Sequence, residues 1–133
     1  MQVSPDEVQQ TYRHRFDQRA KEAKYGIWKV IVEEFLQKWV NPNDTVLDIG
    51  CGYGEFLNHI RCTRRLGIDL NPDSGTHLQK EIEFHQGDAC ELSFLDDSSI
   101  DVVFTSNLIE HLPSKRDIEQ MIREVRRILK TGG

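Results

Sequence analysis

The run Thr45-Val46-Leu47-Asp48-Ile49 passes straight from β-branched and apolar residues into Gly50-Cys51-Gly52-Tyr53-Gly54, and no other feature of the chain restricts its fold as much. Five residues of that kind predict a short strand. Glycines at alternate positions directly after it predict a tight turn to which another group can approach the backbone closely. Glu55 to Ile60 then reads as a helix, whose first N–H groups face the turn unpaired. A glycine-rich loop is weak evidence on its own, because many such loops are only turns. What strengthens it is Asp48, at the end of the strand and beside the positive pole of the next helix, placed to anchor the loop or to face a ligand's ammonium group.

The alternation continues. Arg64 to Asp69 reads as a second strand, closed by Asn71-Pro72-Asp73, and a brief helix around Thr76 to Lys80 leads to a third strand near Ile82 to His85. Ile100 to Thr105 is the fourth, with the apolar run expected of a strand covered on both faces. Ser114 caps a last helix with an apolar stripe of Ile118, Met121, Ile122, Val125 and Leu129, and Arg126, Arg127 and Lys130 suit the negative end of its dipole. Ahead of the first strand two helices are expected. One starts at Ser4-Pro5-Asp6-Glu7 and carries a thin stripe of Val8, Tyr12, Phe16 and Ala20, as a surface helix does. The other follows Gly26, repeats Ile27, Trp28, Ile31, Phe35, Leu36 and Trp39 at helical spacing, and stops at Asn41-Pro42-Asn43-Asp44.

Strands alternating with helices imply an α/β fold, a parallel sheet with helices on its faces and ligands beyond the carboxyl ends of the strands. The 133 residues make one small unit, divided into an N-terminal helical lid segment over 1–44 and a core over 45–133. A net charge of −5 argues against a nucleic-acid partner, which wants a clustered basic surface. No apolar stretch has the length of a membrane span and the N-terminus has no signal-peptide pattern, so a cytoplasmic protein without membrane attachment is expected. Cys51, Cys62 and Cys90 are odd in number and lack CxxC spacing, which suggests neither a disulfide framework nor a metal site.

Two more strand ends carry acids. Asp69 ends the second strand, where a carboxylate accepts from ribose hydroxyls or caps the Asn71-Pro72 turn. Asp88 follows the third, in Gly87-Asp88-Ala89, where it faces an exocyclic amine such as adenine N6 or closes an Asx-turn. Three such acids in order and spacing are a stronger signal than any one.

The stretches VLDIGCGYGEFL, LGIDLN, GDACEL, IDVVFTSNLIEHL and RILKTGG resemble, in that order, the successive motifs of class I S-adenosylmethionine-dependent methyltransferases, with a type 11/12-like domain. The resemblance runs from Thr45 to Gly133. It implies a Rossmann-like sheet of order 3-2-1-4-5-7-6 with its last strand antiparallel, and S-adenosylmethionine as cofactor. Asp48, Gly50, Cys51 and Gly52 then lie along its methionine part, Asp69 takes the ribose, Leu70 lies against the adenine, and Asp88 and the backbone of Ala89 read the adenine edge. Ser106 and Asn107 approach the amino group. From the N-terminal helix, Tyr12, Arg15, Phe16 or Arg19 is placed to offer a ring or a guanidinium to the cofactor carboxylate, unless that face is merely solvated.

The reaction the resemblance implies is an in-line methyl transfer to a small-molecule or sugar-like acceptor, in which the protein mainly positions the reactants. His111 is the candidate general base, or else a helix-start histidine bound to backbone. His59 and His85 fall in core or peripheral positions. The family fold has three further strands, so the fold is expected to be truncated after the fourth, leaving that strand as an open edge. A longer protein, or a second copy in a homodimer, is expected to cover it. Cofactor binding without turnover by this chain alone is the alternative function. A nicotinamide-dependent dehydrogenase fits less well, since it wants GxGxxG and Gly54 comes one position early, with Glu55 where that glycine belongs.

Overall fold

A computed structural model describes residues 5–133, apart from the side chains of 5–9, 11, 12 and 16. The strands stand where the apolar runs predict them. β1 (Thr45–Ile49), β2 (Arg64–Asp69), β3 (Glu83–Gln86) and β4 (Val102–Phe104) form one sheet of order β3-β2-β1-β4. All pairs are parallel, with Asp48 opposite Gly67 on one side and Phe104 on the other. The chain adds β2 and β3 on one side of β1 and then crosses back to place β4 on the other. The order therefore reverses between β1 and β4, and the carboxyl ends of these strands frame the crevice where ligands bind in such sheets.

β1 lies at the centre and is buried on both faces. Its side chains alternate between them, as a period of two requires. Leu47 and Ile49 enter a core with Leu66, Ile68, Leu92, Ile100, Met121 and Ile128 under the last helix, α2 (Lys115–Ile128). Val46 enters the opposite core, with Val32, Phe56, Leu57, Ile60 and Ile82. Asp48 follows Val46 by two and shares its face.

The N-terminal region is a single helix, α1 (Pro5–Glu34), where two were expected. A glycine inside a helix costs only about 1 kcal/mol relative to alanine, and Gly26 sits just ahead of Trp28 and Val32, which bury against the sheet and repay that cost. A 3-10 turn, Leu36–Trp39, follows. Of the apolar set read for the second helix, Ile27, Ile31, Phe35 and Trp39 are exposed. No described helix is long and apolar enough to cross a membrane.

Four further local expectations are corrected. Glu55–Ile60 is a chain of turns with two helix-type bonds, Asn58 N–H to Gly54 O (2.9 Å) and Ile60 N–H to Phe56 O (3.0 Å). The chain returns to β2 within three residues, which leaves no room to extend it. The brief element after β2 is a 3-10 helix over Pro72–His77, started earlier than expected by Asn71, whose side chain accepts from Asp73 N, and by Pro72 at its first position. β4 is only half buried and, among the described residues, pairs with β1 alone. In α2, Ser114 caps as expected, but Ile122 is 55% exposed while Ile128 is fully buried.

Arg127, on the last turn of α2, ties down the loop between β3 and β4. Its guanidinium donates to Leu92 O and Leu95 O (both 2.8 Å) and pairs with Asp97 and Glu124.

Candidate cofactor site

The glycine loop adopts the conformation for which its residues were singled out. Gly50, Gly52 and Gly54 all have positive φ, at 77°, 52° and 79°, a region that costs residues with a Cβ energy. At Gly52 a Cβ would meet nothing closer than Glu55 Oε2 at 3.7 Å, so backbone conformation sets the requirement there. At Gly50 it would also crowd Leu108 Cδ1 at 3.3 Å. The loop is held to β2, because the N–H groups of Gly50 and Cys51 both donate to Ile68 O (2.8 and 3.1 Å) and Gly52 N–H donates to Asp69 Oδ2 (2.9 Å).

Two clefts meet at this loop, and Gly50 lines both. The first opens on the α1 side of the sheet and brings together Lys24, Trp28, Asp48, Gly52, Ser106 and Asn107. Asp48 is its most unusual member. The side chain is 3% exposed and its Oδ1 has no hydrogen-bond partner among the described residues. Burial, then the nearby charges of Glu55 and Asp69, push its pKa well above the ordinary 3.8. A buried, unpaired carboxylate oxygen is costly, and a donor carrying positive charge is the partner that relieves it. Asn107 stands at φ 53°, a left-handed conformation that asparagine tolerates better than most residues. It turns the chain after β4 back toward the loop, and Thr105 Oγ1 steadies this turn by donating to Ile49 O (2.9 Å).

The second cleft opens on the α2 side, with Gly50, Asp69, Leu70, Asp88, Ala89 and Leu108 in its walls. Asp69 caps the following turn, with Oδ1 accepting from Asn71 N (2.9 Å), and it still lines the cleft. An ionised carboxylate has about four acceptor positions, so the two tasks are compatible. Asp88 likewise closes an Asx-turn onto Cys90 N (2.8 Å) while lining the wall. Leu70 is 70% exposed, an apolar surface at the cleft's mouth.

Several expected site residues stand elsewhere. His111 ends the 3-10 turn Ile109–His111, is exposed, lines neither cleft, and donates its backbone N–H to Leu108 O (2.9 Å). The leucines flanking that turn, Leu108 and Leu112, do line the second cleft. Arg19 is exposed and lines neither cleft, as is the case for Arg15. The side chains of Tyr12 and Phe16 lie outside the described residues. Cys51 borders the first cleft, yet its thiol is buried against Gly67, where a Cβ would lie 2.8 Å from Sγ. Burial pushes this thiol up to about 12, which leaves it protonated and inert.

Lys24 is the cation that the sequence reading missed. It faces the first cleft and pairs with Glu55 at 2.9 Å. Lys21, Lys24, Tyr25 and Trp28 share one face at the spacing of successive helical turns, a signal hidden by reading Gly26 as a break. Among the described residues no cluster of His, Cys, Asp or Glu could hold a metal. The two clefts thus offer a buried carboxyl with no partner among the described residues and a cation on one side of Gly50, and two acidic side chains beside apolar surface on the other. That is a match for an elongated ligand with an amino-acid end and a nucleoside end.

Known proteins bear on this geometry. A family model described as a methyltransferase domain matches residues 47–133. A protein of Encephalitozoon cuniculi named as a methyltransferase is 30% identical over 134 residues, covering 97% of this chain and 62% of that protein. The demethylmenaquinone methyltransferase of Lactobacillus johnsonii is 31% identical over 118 residues, which is 76% of this chain and 46% of the relative. A solved S-adenosylmethionine-dependent methyltransferase of Archaeoglobus fulgidus superposes with a TM-score of 0.66 at 27% identity, over 80% of this chain and 48% of that one. The chain spans less than two thirds of the length of each. With the sheet order, the glycine loop and the match over residues 47–133 all in agreement, the chain belongs to the methyltransferase domain family.

Proposed function

We propose that this chain is the cofactor-binding part of an S-adenosylmethionine-dependent methyltransferase acting on a small-molecule acceptor, with residues 1–44 as a lid over a core of 45–133. The observation that carries the reading is Asp48 Oδ1, without a partner among the described residues and buried in a cleft that also holds Lys24 and the backbone of Gly50 and Gly52.

S-adenosylmethionine supplies an electrophilic methyl on a sulfonium, which leaves as a neutral thioether when a nucleophile attacks. The chain's own residues bind and orient. Asp48 accepts the ammonium of the methionine end, and Lys24 offers that end's carboxylate a counter-charge, the role expected of Arg19 or Tyr12. Asp69 accepts the ribose hydroxyls, Asp88 and the Ala89 backbone meet the adenine edge, and Leu70 covers its face. Ser106 and Asn107 close the amino-acid end. Catalysis then rests on position and excluded water.

Calorimetry with S-adenosylhomocysteine tests the reading. One-site binding is expected, weakened by Asp48→Asn and by Asp69→Ala; a chain that binds nothing at millimolar ligand does not have this function. A second reading is cofactor binding without turnover by these 133 residues. It predicts intact binding and no methyl transfer to any acceptor.

A further inference from the structure

Between α1 and the glycine loop lies a third cleft, enclosing about 420 Å³, within the roughly 300–1,000 Å³ of small-molecule sites. One wall comes from α1, with Lys21, Lys24 and Tyr25; the other comes from the loops after β1 and β2, with Tyr53, Asn58 and His77. The second wall is braced from behind. Asn58 Nδ2 donates to His77 O and its Oδ1 accepts from Gln79 N (both 2.9 Å), while the His77 ring meets Tyr53 edge-on at 4.6 Å. The first wall is pinned by the Lys24–Glu55 pair and by Tyr25 against His59, ring centres 4.4 Å apart. This is a built cavity between two fixed surfaces.

Its charges select a ligand. Glu55 is matched by Lys24, and the exposed Glu22 accepts from the Gln18 amide. Lys21 has no ion pair among the described residues; its Nζ rests 5.2 Å from the centre of the Tyr53 ring. A cation held over a ring in a cleft is a ready counter-charge for an anion. Tyr25 and Tyr53, 37% and 44% exposed, offer aromatic surface against which a planar body packs. The position matters as much as the chemistry. The cleft shares Lys24, Tyr53 and Glu55 with the cleft of Asp48, so a ligand in it abuts whatever lies over Gly52.

We propose that this cleft is the methyl-acceptor site and that it takes a planar acid, an aromatic ring carrying an anionic group and a hydroxyl or amine nucleophile, with its anion on Lys21. The inference rests on S-adenosylmethionine occupying the two neighbouring clefts. Transfer forms the acceptor's O–CH3 or N–CH3 bond as the S–CH3 bond breaks. The bonding pair stays on sulfur and the acceptor's proton passes to water.

The test uses the full chain, first titrated with S-adenosylhomocysteine by calorimetry and then saturated with it. Backbone amide shifts are followed as 4-hydroxybenzoate, 4-hydroxybenzyl alcohol or tyramine is added. The acid is expected to bind about tenfold tighter than the alcohol or the amine, one decade being the scale of a partly desolvated ion pair, with shifts at Tyr25, Tyr53 and His77. Lys21→Glu should weaken the acid by about the same factor and leave S-adenosylhomocysteine binding unchanged; Lys21→Gln gives the same direction if Glu disturbs α1. Equal binding of the alcohol or the amine, indifference of the acid to Lys21, or displacement of S-adenosylhomocysteine by the acid overturns the proposal. Binding of S-adenosylhomocysteine with no acid binding overturns this inference alone, whereas failure of S-adenosylhomocysteine to bind overturns the cofactor reading as well.

Discussion

Asp48 carries a proton in the folded chain over a pH range in which the unfolded chain has lost it, because its folded pKa is raised, chiefly by burial. Its contribution to stability therefore falls as pH rises above the ordinary value of 3.8, up to the raised value. A ligand's ammonium needs the ionised form, so cofactor affinity rises through the same window. Asp48→Asn should flatten both dependences and cost the cofactor about 2 kcal/mol, the scale of a charged hydrogen bond. Thermal melts and calorimetry between acid and neutral pH measure the two slopes. If binding to the unmodified chain weakens as pH rises through that range, the ammonium is not what Asp48 meets. At this scale the sequence was informative about acids and glycines, because a carboxylate at a strand end has few alternative roles. It said little about Lys24, whose place depends on which face of α1 turns inward.

Among the elements, the strands were legible from short apolar runs, Val46-Leu47 in β1, Leu66-Gly67-Ile68 in β2 and Val102-Val103-Phe104 in β4, whereas β3, Glu83–Gln86, is mostly exposed and carries little of that signal. The connections were not. Glu55–Ile60 has helical composition, but the short return to β2 overrides propensity, and Gly26 reads as a stop until the packing of Trp28 and Val32 is known. Arg127 shows the same dependence on distant partners. Its basic position in α2 was read as a match to the helix dipole, yet it mainly holds the loop carbonyls of Leu92 and Leu95, 35 and 32 residues away in sequence. Arg127→Ala should destabilise the chain by about 2 kcal/mol, since it leaves buried acceptors and Glu124 unmatched, and Arg127→Lys should recover little because one ammonium cannot replace the fork. Urea denaturation measures both.

At the scale of the molecule, the sheet ends in β4 on one side, and α1 with the 3-10 turn that follows it carries Ile27, Val30, Ile31, Phe35 and Trp39, each 40–73% exposed. Exposed apolar residues grouped on adjoining elements mark a surface that associates. The chain is expected to self-associate as concentration rises, and Ile31→Glu with Phe35→Glu should reduce that without weakening S-adenosylhomocysteine binding. Sedimentation velocity decides it, and a monomer at all concentrations would remove the expectation that a second copy covers this side.

Gly50 lines both clefts, and the residues on either side of it belong to opposite cores. A ligand lying across it touches the layer under α1 and the layer under α2 at once, so the cofactor would act as a rivet through the end of the sheet. Hydrogen exchange should then slow on binding in two regions that line different clefts, the Lys21–Trp28 stretch of α1 and the loop from Gly87 to Leu92. Adenosine alone should protect only the second. Cooperation between the two faces of this fold would in that case be a property of the bound ligand rather than of the chain.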